Sequence, residues 1–273
     1  MQPIVSVVIP TRNRIDRLRE AVKSIEAQSY APLEIVIVDN KSDEVLEASD
    51  LGTNIPVVIL RNDEMRFAGV NRNLGARAAS GEIICFLDDD DTYTPTKMTD
   101  VIAEFERHPD LDFVYGASEQ IDAQGQVIVR SFGPVEIRTY LLYKYVHVNA
   151  LAVRKSVFAT TEFDPVMATY EEVDFIGQLI KHHKGRAIDR VHAVWNRDDR
   201  PDQLTNRNFK RSYEQWKILC QKYEGEIRSS RVLSKNYYKK MFALSCIRLA
   251  VFDAVKYLYL FVRAFTLPRE DGF

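Results

Sequence analysis

Ile4–Ile9 is an apolar, β-branched run closed by Pro10. Runs of this kind mark strands buried on both faces of a parallel sheet. Leu18, Val22 and Ile25 then recur at helical spacing and predict a helix with one core-facing stripe. Glu34–Val38 reads as a second buried strand, ending at Asp39 and Asn40, and Ile55–Leu60 as a third. Asn71–Ala79 reads as a short helix with Gly81 as its C-cap. Glu82–Leu87 is another buried strand, and it runs straight into four aspartates, Asp88–Asp91. Thr94 as N-cap and Pro95 at the first helical position predict a helix whose core face carries Met98, Ile102 and Phe105.

The second half is less regular. Val114–Tyr115 and Gln126–Val129 fit strands flanking an Asp122–Gly125 turn, and Val148–Val153 fits a further strand. Thr169–Lys181 reads as a helix with Val173, Ile176 and Ile180 inward. Ala193–Trp195 fits a last strand before a charged loop, Asn196–Asn208. From Phe209 onward the pattern is helical and rich in Tyr, Lys and Arg. Strands alternating with helices imply an α/β fold built on parallel βαβ units, with helices flanking a mostly parallel sheet. Ligands bind such sheets beyond the carboxyl ends of the strands. Two of the expected strands end in carboxylates, at Asp39 and Asp88–Asp91, which puts polar chemistry on one edge.

Composition changes this picture little. The chain has 273 residues, 46% hydrophobic and 28% charged. That suits one large domain, or a domain plus a helical appendage, with no need of a disulfide for stability. A formal net charge of −2 gives no electrostatic case for nucleic acid, and no nucleic-acid partner is expected. Cys85, Cys220 and Cys246 form no CxxC pair and are expected to be reduced, each a small apolar side chain. The N-terminus reads as a strand, not a signal peptide. Arg248, Asp253 and Lys256 argue against a spanning helix in the apolar stretch Met241–Val262.

Four carboxylates after a buried strand repel one another. A pair ~4 Å apart costs ~1 kcal/mol in water and ~4 kcal/mol at an effective dielectric of ~20. One reading is a solvated acidic turn that caps the next helix. The other is a divalent cation: carboxylate oxygens suit Mg²⁺ or Mn²⁺, which keep waters and bind substrate phosphates. The apolar strand favours the second, because it fixes the cluster at the sheet's ligand edge.

The segments VSVVIPTRNR (5–14), EIVIVDNKSDE (34–44), NRNLGARAASGEIICFLDDDDTYTPTKM (71–98) and YEEVDF (170–175) occur in one order. Together they resemble the inverting glycosyltransferases of family 2, which have the GT-A fold. The resemblance covers roughly residues 4–200 and implies a catalytic domain over 1–208 with a helical extension over 209–273. It implies a nucleotide-diphosphate sugar donor, a saccharide or lipid-linked acceptor, and a Mn²⁺ or Mg²⁺ cofactor. Pro10, Thr11, Arg12 and Arg14 sit where the family's first strand meets the nucleotide. Asp39 and Asn40 match the pair near base and ribose; many relatives have a second aspartate where this chain has Asn40, which leaves the base open. Arg72 and Asn73 match a pair near the diphosphate, where a cation forms charge-assisted bonds to phosphate oxygens. Asp88 and Asp90 match the DxD motif, with Asp90 the principal metal ligand, Asp89 toward the ribose and Asp91 in support.

An inverting transfer needs one base for the acceptor hydroxyl, and a metal that stabilises the diphosphate removes the need for an acid. The family's base position falls on Glu172 of Glu171-Glu172, a departure from Asp to Glu, with Asp174 the alternative. A rival reading makes Thr169 and Glu172 a capping box. His147, with Asn149, precedes the acceptor-side strand and fits either a substrate contact or a structural histidine. His182-His183 reads as the dipole partner at the end of the Glu172 helix. No histidine stands in the 195–207 loop, where relatives often place a metal helper; Asp198 or Asp199 would have to substitute. The basic, aromatic C-terminus fits either a membrane surface or a packed helical pair. A cytoplasmic enzyme, peripheral at the inner face of a membrane, is the expected setting. Two other functions share these features: a sugar-phosphate nucleotidyltransferase, and a non-catalytic nucleotide-sugar binding protein.

Overall fold

The computed structural model describes residues 4–31, 33–121, 126–129, 136–143, 146–196, 209–247 and 249–268. Its first half contains β1 (Val5–Thr11), α1 (Ile15–Glu26), β2 (Leu33–Asp39), β3 (Val57–Arg61), α2 (Ala68–Ala78), β4 (Ile83–Phe86), β5 (Thr92–Tyr93) and α3 (Lys97–Arg107). The second half adds β6 (Phe113–Ile121), β7 (Val127–Val129), α4 (Ile137–Tyr143), β8 (Leu151–Arg154), α5 (Glu171–His182) and β9 (Gly185–Asn196). Four helices follow: α6 (Phe209–Lys222), α7 (Glu224–Ser229), α8 (Arg231–Ile247) and α9 (Val251–Arg263).

Among the described residues one sheet runs β3-β2-β1-β4-β8-β6-β9-β5, with β7 beside β6. β3, β2, β1 and β4 are parallel. Their two faces are covered by different layers, which is why the runs are apolar throughout. Val5, Val7 and Ile9 pack with Leu18, Val22 and Ile25 of α1 and Met98 and Phe105 of α3. Val8, Val36 and Phe86 pack on the other face with Ala76 of α2 and Phe175 of α5. The sheet is mixed beyond β4: β8 is antiparallel to both β4 and β6, and β9 is parallel to β6 but antiparallel to β5. The expected parallel character therefore holds for the first half and for the β6–β9 pair.

Several local expectations shift. Gly81 is not a helix C-cap: α2 ends at Ala78, and a Cβ at Gly81 would stand 2.6 Å from the Ile4 carbonyl oxygen and the Ser6 hydroxyl. Glycine is there because the chain presses against β1. Thr94 caps nothing, because its hydroxyl donates to the Val191 carbonyl of β9 (2.7 Å), and α3 starts only at Lys97. Val148–Ala150 is a 3-10 turn, so only the end of the expected 148–153 strand is strand. Ala193–Trp195 is the end of the much longer β9. The expected Asp122–Gly125 turn, and Asp198 and Asp199 in the charged loop, lie outside the described residues.

The C-terminal helices bury Trp216, Tyr223, Tyr237 and Met241 around Leu141 of α4 and Met167. Cys85 and Cys220 are buried as expected, but Cys246 is exposed. Met241–Val262 is divided between α8 and α9, with Leu249 at a positive φ of 59° between them. No helix among the described residues is long and apolar enough to cross a membrane.

Candidate active site

The carboxyl ends of β1, β2 and β4 meet at one edge. The first two strands are followed by residues in the left-handed region, Asn13 (φ 54°) and Lys41 (φ 63°). These turns lock together: Asn13 donates to the Asp43 carboxylate (2.9 Å), and its Oδ1 accepts the Asp43 backbone N–H (2.8 Å). Asp39 is fully buried, accepts the Ser42 backbone N–H (2.9 Å) and pairs with Arg61 (3.0 Å). Asn40 uses its amide on the backbone of Arg66, in both directions. Pro10 and Thr11 lie beside Val38 and Asp39 in register, while Arg12 is exposed and reaches the Lys41 carbonyl (3.4 Å).

The four aspartates form a tight turn, in which the Asp91 N–H donates to the Asp88 carbonyl (3.1 Å). The turn sorts them into two pairs. Asp89 and Asp90 point to β1: Thr11 donates to Asp89 (2.7 Å), and Arg14 lies 3.1 Å from Asp89 and 3.2 Å from Asp90. Burial pushes the Asp89 carboxyl up to about 6, against the pull of Thr11 and Arg14. Asp88 and Asp91 instead come together with His147, one ligand atom from each lying within 4.8 Å of the others. Asp90, expected as the principal metal ligand, is not in this group, because the turn places it on the Arg14 side.

Arg72 reaches this site from α2. Its guanidinium is buried and bonds Asp88 (2.6 Å), Glu171 (3.3 Å) and Glu172 (3.4 Å). Burial opposes its charge, but Asp88, Glu172 and Glu171 outweigh that and raise its pKa. Asp88 is pushed up by burial, yet Arg72, His147 and Arg14 hold it below the usual carboxylate range. Burial, with Glu172 nearby, raises Glu171. Asn73, expected beside Arg72 at the diphosphate, faces elsewhere. It donates to the Phe163 carbonyl (2.7 Å) and accepts the Phe163 N–H (3.0 Å), which makes it a brace for that segment.

Glu172 does not close a capping box. The residue before α5 is Tyr170, in the left-handed region at φ 63°, with no side-chain cap, and the buried Thr169 hydroxyl has no hydrogen-bond partner among the described residues. The Glu172 carboxylate is thereby left facing Arg72, the Val148 N–H (3.4 Å) and His147 Nε2 (3.9 Å). Asp174 points to the other side of the helix. It is buried against Lys222 (2.6 Å) and the Tyr223 hydroxyl, beside a separate cavity of about 500 Å³ lined also by Asp164 and His182. His183 bonds Thr161 (2.8 Å) rather than merely ending the helix.

His147 and Asn149 matter more than their sequence context suggests. The His147 ring stacks on Trp195 at 5.1 Å between centroids. Asn149 accepts the Asp88 N–H (3.1 Å) and donates to Asp91 (2.5 Å). Below them the fully buried Lys97 donates to the Asn149 carbonyl (2.5 Å) and lies 3.6 Å from the Tyr93 ring centroid; burial pushes its pKa down to about 8. No motif carries this set. A lone His before an apolar strand and a Lys on a helix's buried face were the only signals. Two carboxylates and an imidazole, converging from two segments, are a fitting donor set for a divalent cation of the Mn²⁺ or Mg²⁺ class.

A mixed sheet flanked by helices, with a carboxylate turn after its fourth strand and a C-terminal helical region, is the arrangement of the GT-A fold. The chain covers 95% of its length on residues 1–349 of Staphylococcus aureus TarS in complex with UDP-GlcNAc, with a TM-score of 0.69 and 14% identity over 79% of that chain. Residues 6–151 match the model of Glycosyl transferase family 2, and the chain belongs to that family. It is 28% identical over 186 residues to an uncharacterized glycosyltransferase of Haemophilus influenzae, covering 65% of this chain and 62% of that protein. It therefore spans less than two thirds of that relative's length. It is 24% identical over 221 residues to Escherichia coli WfgD, named a UDP-Glc:alpha-D-GlcNAc-diphosphoundecaprenol beta-1,3-glucosyltransferase, covering 79% and 85%.

Proposed function

We propose that this chain transfers a sugar from a nucleoside-diphosphate sugar to an acceptor hydroxyl, with inversion at the anomeric carbon and with help from a divalent cation. The carrying observation is the position of Glu172. Freed from capping, its carboxylate shares one site with Arg72, His147 and the Asp88–Asp91 turn. In this reading Glu172 takes the acceptor proton as the hydroxyl oxygen bonds to the anomeric carbon and the bond to the diphosphate breaks. Arg72 faces the oxygens of the leaving group, and Arg14 with Asp89 faces the ribose side. Pro10, Thr11, Asp39 and Asn40 border the nucleoside. A bound cation supplies positive charge to the departing diphosphate. Asp88, Asp91 and His147 would hold it, with Asp90 at the tip of the same turn as the rival ligand. WfgD is named for a lipid-diphosphate-linked acceptor and TarS was solved with UDP-GlcNAc. UDP-sugars and lipid-linked or free saccharides are thus the first pairs to test.

The protein is incubated with a panel of UDP-, dTDP- and GDP-sugars, Mn²⁺ and candidate acceptors. Release of nucleoside diphosphate with a product of inverted configuration supports the reading; release of pyrophosphate would identify a nucleotidyltransferase. Chelation and Glu172→Gln should each abolish transfer while Glu172→Gln retains donor binding. Retained transfer in Glu172→Gln overturns the assignment of the base. Comparing Asp90→Asn with Asp91→Asn in Mn²⁺ binding decides which aspartate accompanies Asp88.

A further inference from the structure

The helix α9 is apolar on two sides. One side is buried, through Tyr257 and the partly buried Leu260 and Phe261, against α8 and its neighbours. The other is open. Val251, Phe252, Val255, Leu258, Tyr259 and Val262 recur at three- and four-residue spacing and are 43–93% exposed, Phe252 the most. Leu249, 85% exposed, extends this stripe into the turn before the helix. Contiguous apolar surface of this kind is uncommon on a soluble face without a partner.

Charge identifies the partner. Lys256 and Arg263, seven residues apart on one edge of the stripe, are both exposed. Residues 231–268 contain seven Lys or Arg and one acid, Asp253, in a chain whose formal net charge is −2. Asp253 is itself engaged by Lys217 and the Tyr213 hydroxyl, so it does not offset the basic edge. Two copies meeting through this face would bring their basic edges together. An anionic lipid surface instead receives the apolar side chains among its acyl chains and the cations among its headgroups.

We infer that the α8–α9 hairpin docks this protein on an anionic bilayer, with α9 lying in the plane of the interface. The inference rests on the proposed function only in giving a lipid-linked acceptor a place to be met. The hairpin is joined to the catalytic site through Lys240 of α8, whose ammonium lies 3.2 Å from the Tyr170 hydroxyl, one residue before Glu171.

The test is flotation of the full chain with vesicles of phosphatidylcholine alone or mixed with phosphatidylglycerol, at low and high salt. Binding to the phosphatidylglycerol vesicles, weakened by salt, is expected. Phe252→Glu combined with Val255→Glu, and separately Lys256→Glu combined with Arg263→Glu, should each weaken it by about tenfold or more. Because all four positions are exposed, the variants should keep the wild-type circular dichroism and any thermal shift with UDP and Mn²⁺. Failure of wild type to float, or flotation unchanged in both variants, overturns the inference. So does a wild-type dimer that the Phe252→Glu, Val255→Glu variant converts to a monomer. Flotation without any nucleotide response would instead overturn the proposed function and leave the docking surface standing.

Discussion

The Asn149 side-chain amide donates to the Asp91 carboxylate at 2.5 Å while its Oδ1 accepts the Asp88 N–H at 3.1 Å. One side chain from the turn before β8 thus braces both ends of the aspartate turn after β4. Asn149 itself is held from beneath by Lys97.

Asn149→Ala should loosen that brace without touching any proposed ligand. Loss of such outer support typically costs 10–100-fold in metal affinity. Calorimetric titration with Mn²⁺ is expected to show a weakening of about 10-fold or more, with little change in the circular dichroism of the folded protein.

Arg72→Met leaves Asp88, Glu171 and Glu172 facing one another without the guanidinium that bonds all three. Breaking a buried ion network by removing one partner costs on the order of 3–5 kcal/mol. Urea unfolding should register a loss of that size, and Mn²⁺ should recover part of it by standing in for the missing charge. An unchanged midpoint would show that Arg72 is not balancing these carboxylates.

His192 is fully buried, and neither ring nitrogen has a hydrogen-bond partner among the described residues, although an Asp100 oxygen stands 3.5 Å from Nε2. Burial, helped by Lys97, pushes its pKa down to about 4. The unfolded chain therefore takes up this proton first as pH falls. The stability this neutral ring contributes is complete above ~6.5 and is lost progressively toward ~4, on the order of 3 kcal/mol in all. His192→Leu should leave stability at neutral pH unchanged or higher and shrink the fall in Tm between neutral pH and pH ~5.

Gly75 lies where α2 crosses β1, and a Cβ there would stand 2.3 Å from the Val8 methyl carbon Cγ1. Gly75→Ala must push α2 outward, at a cost of about 1–3 kcal/mol. Thermal unfolding should show the drop. Because α2 also carries Arg72, donor affinity should fall with it.

Much of the parallel half was legible in the sequence because strands buried on both faces leave unbroken apolar runs, as in Glu34–Val38 and Glu82–Leu87. The position of the four aspartates at the sheet edge followed from the second of these. What was not legible depends on contacts between distant segments. His147 reaches Asp88 across 59 positions, and nothing local in HVNALAV announces it. The spacing of Thr169 and Glu172 fits a capping box, yet Tyr170 adopts a left-handed conformation and the box cannot close. Asn73 follows Arg72 in a motif, but successive helical positions face different directions, so only Arg72 enters the site. The antiparallel insertion of β8 was equally hidden, because an apolar run carries no sign of its direction.

Tyr170 is held on two sides, its ring edge-on to Trp216 at 5.2 Å and its hydroxyl in reach of Lys240. Lys240 of α8 thus contacts the residue immediately before Glu171 and Glu172. The rear helices grip the start of α5 through this tyrosine as well as through Lys222 and Tyr223 on Asp174, so shortening the chain from its C-terminus should weaken the proposed transfer before it unfolds the sheet.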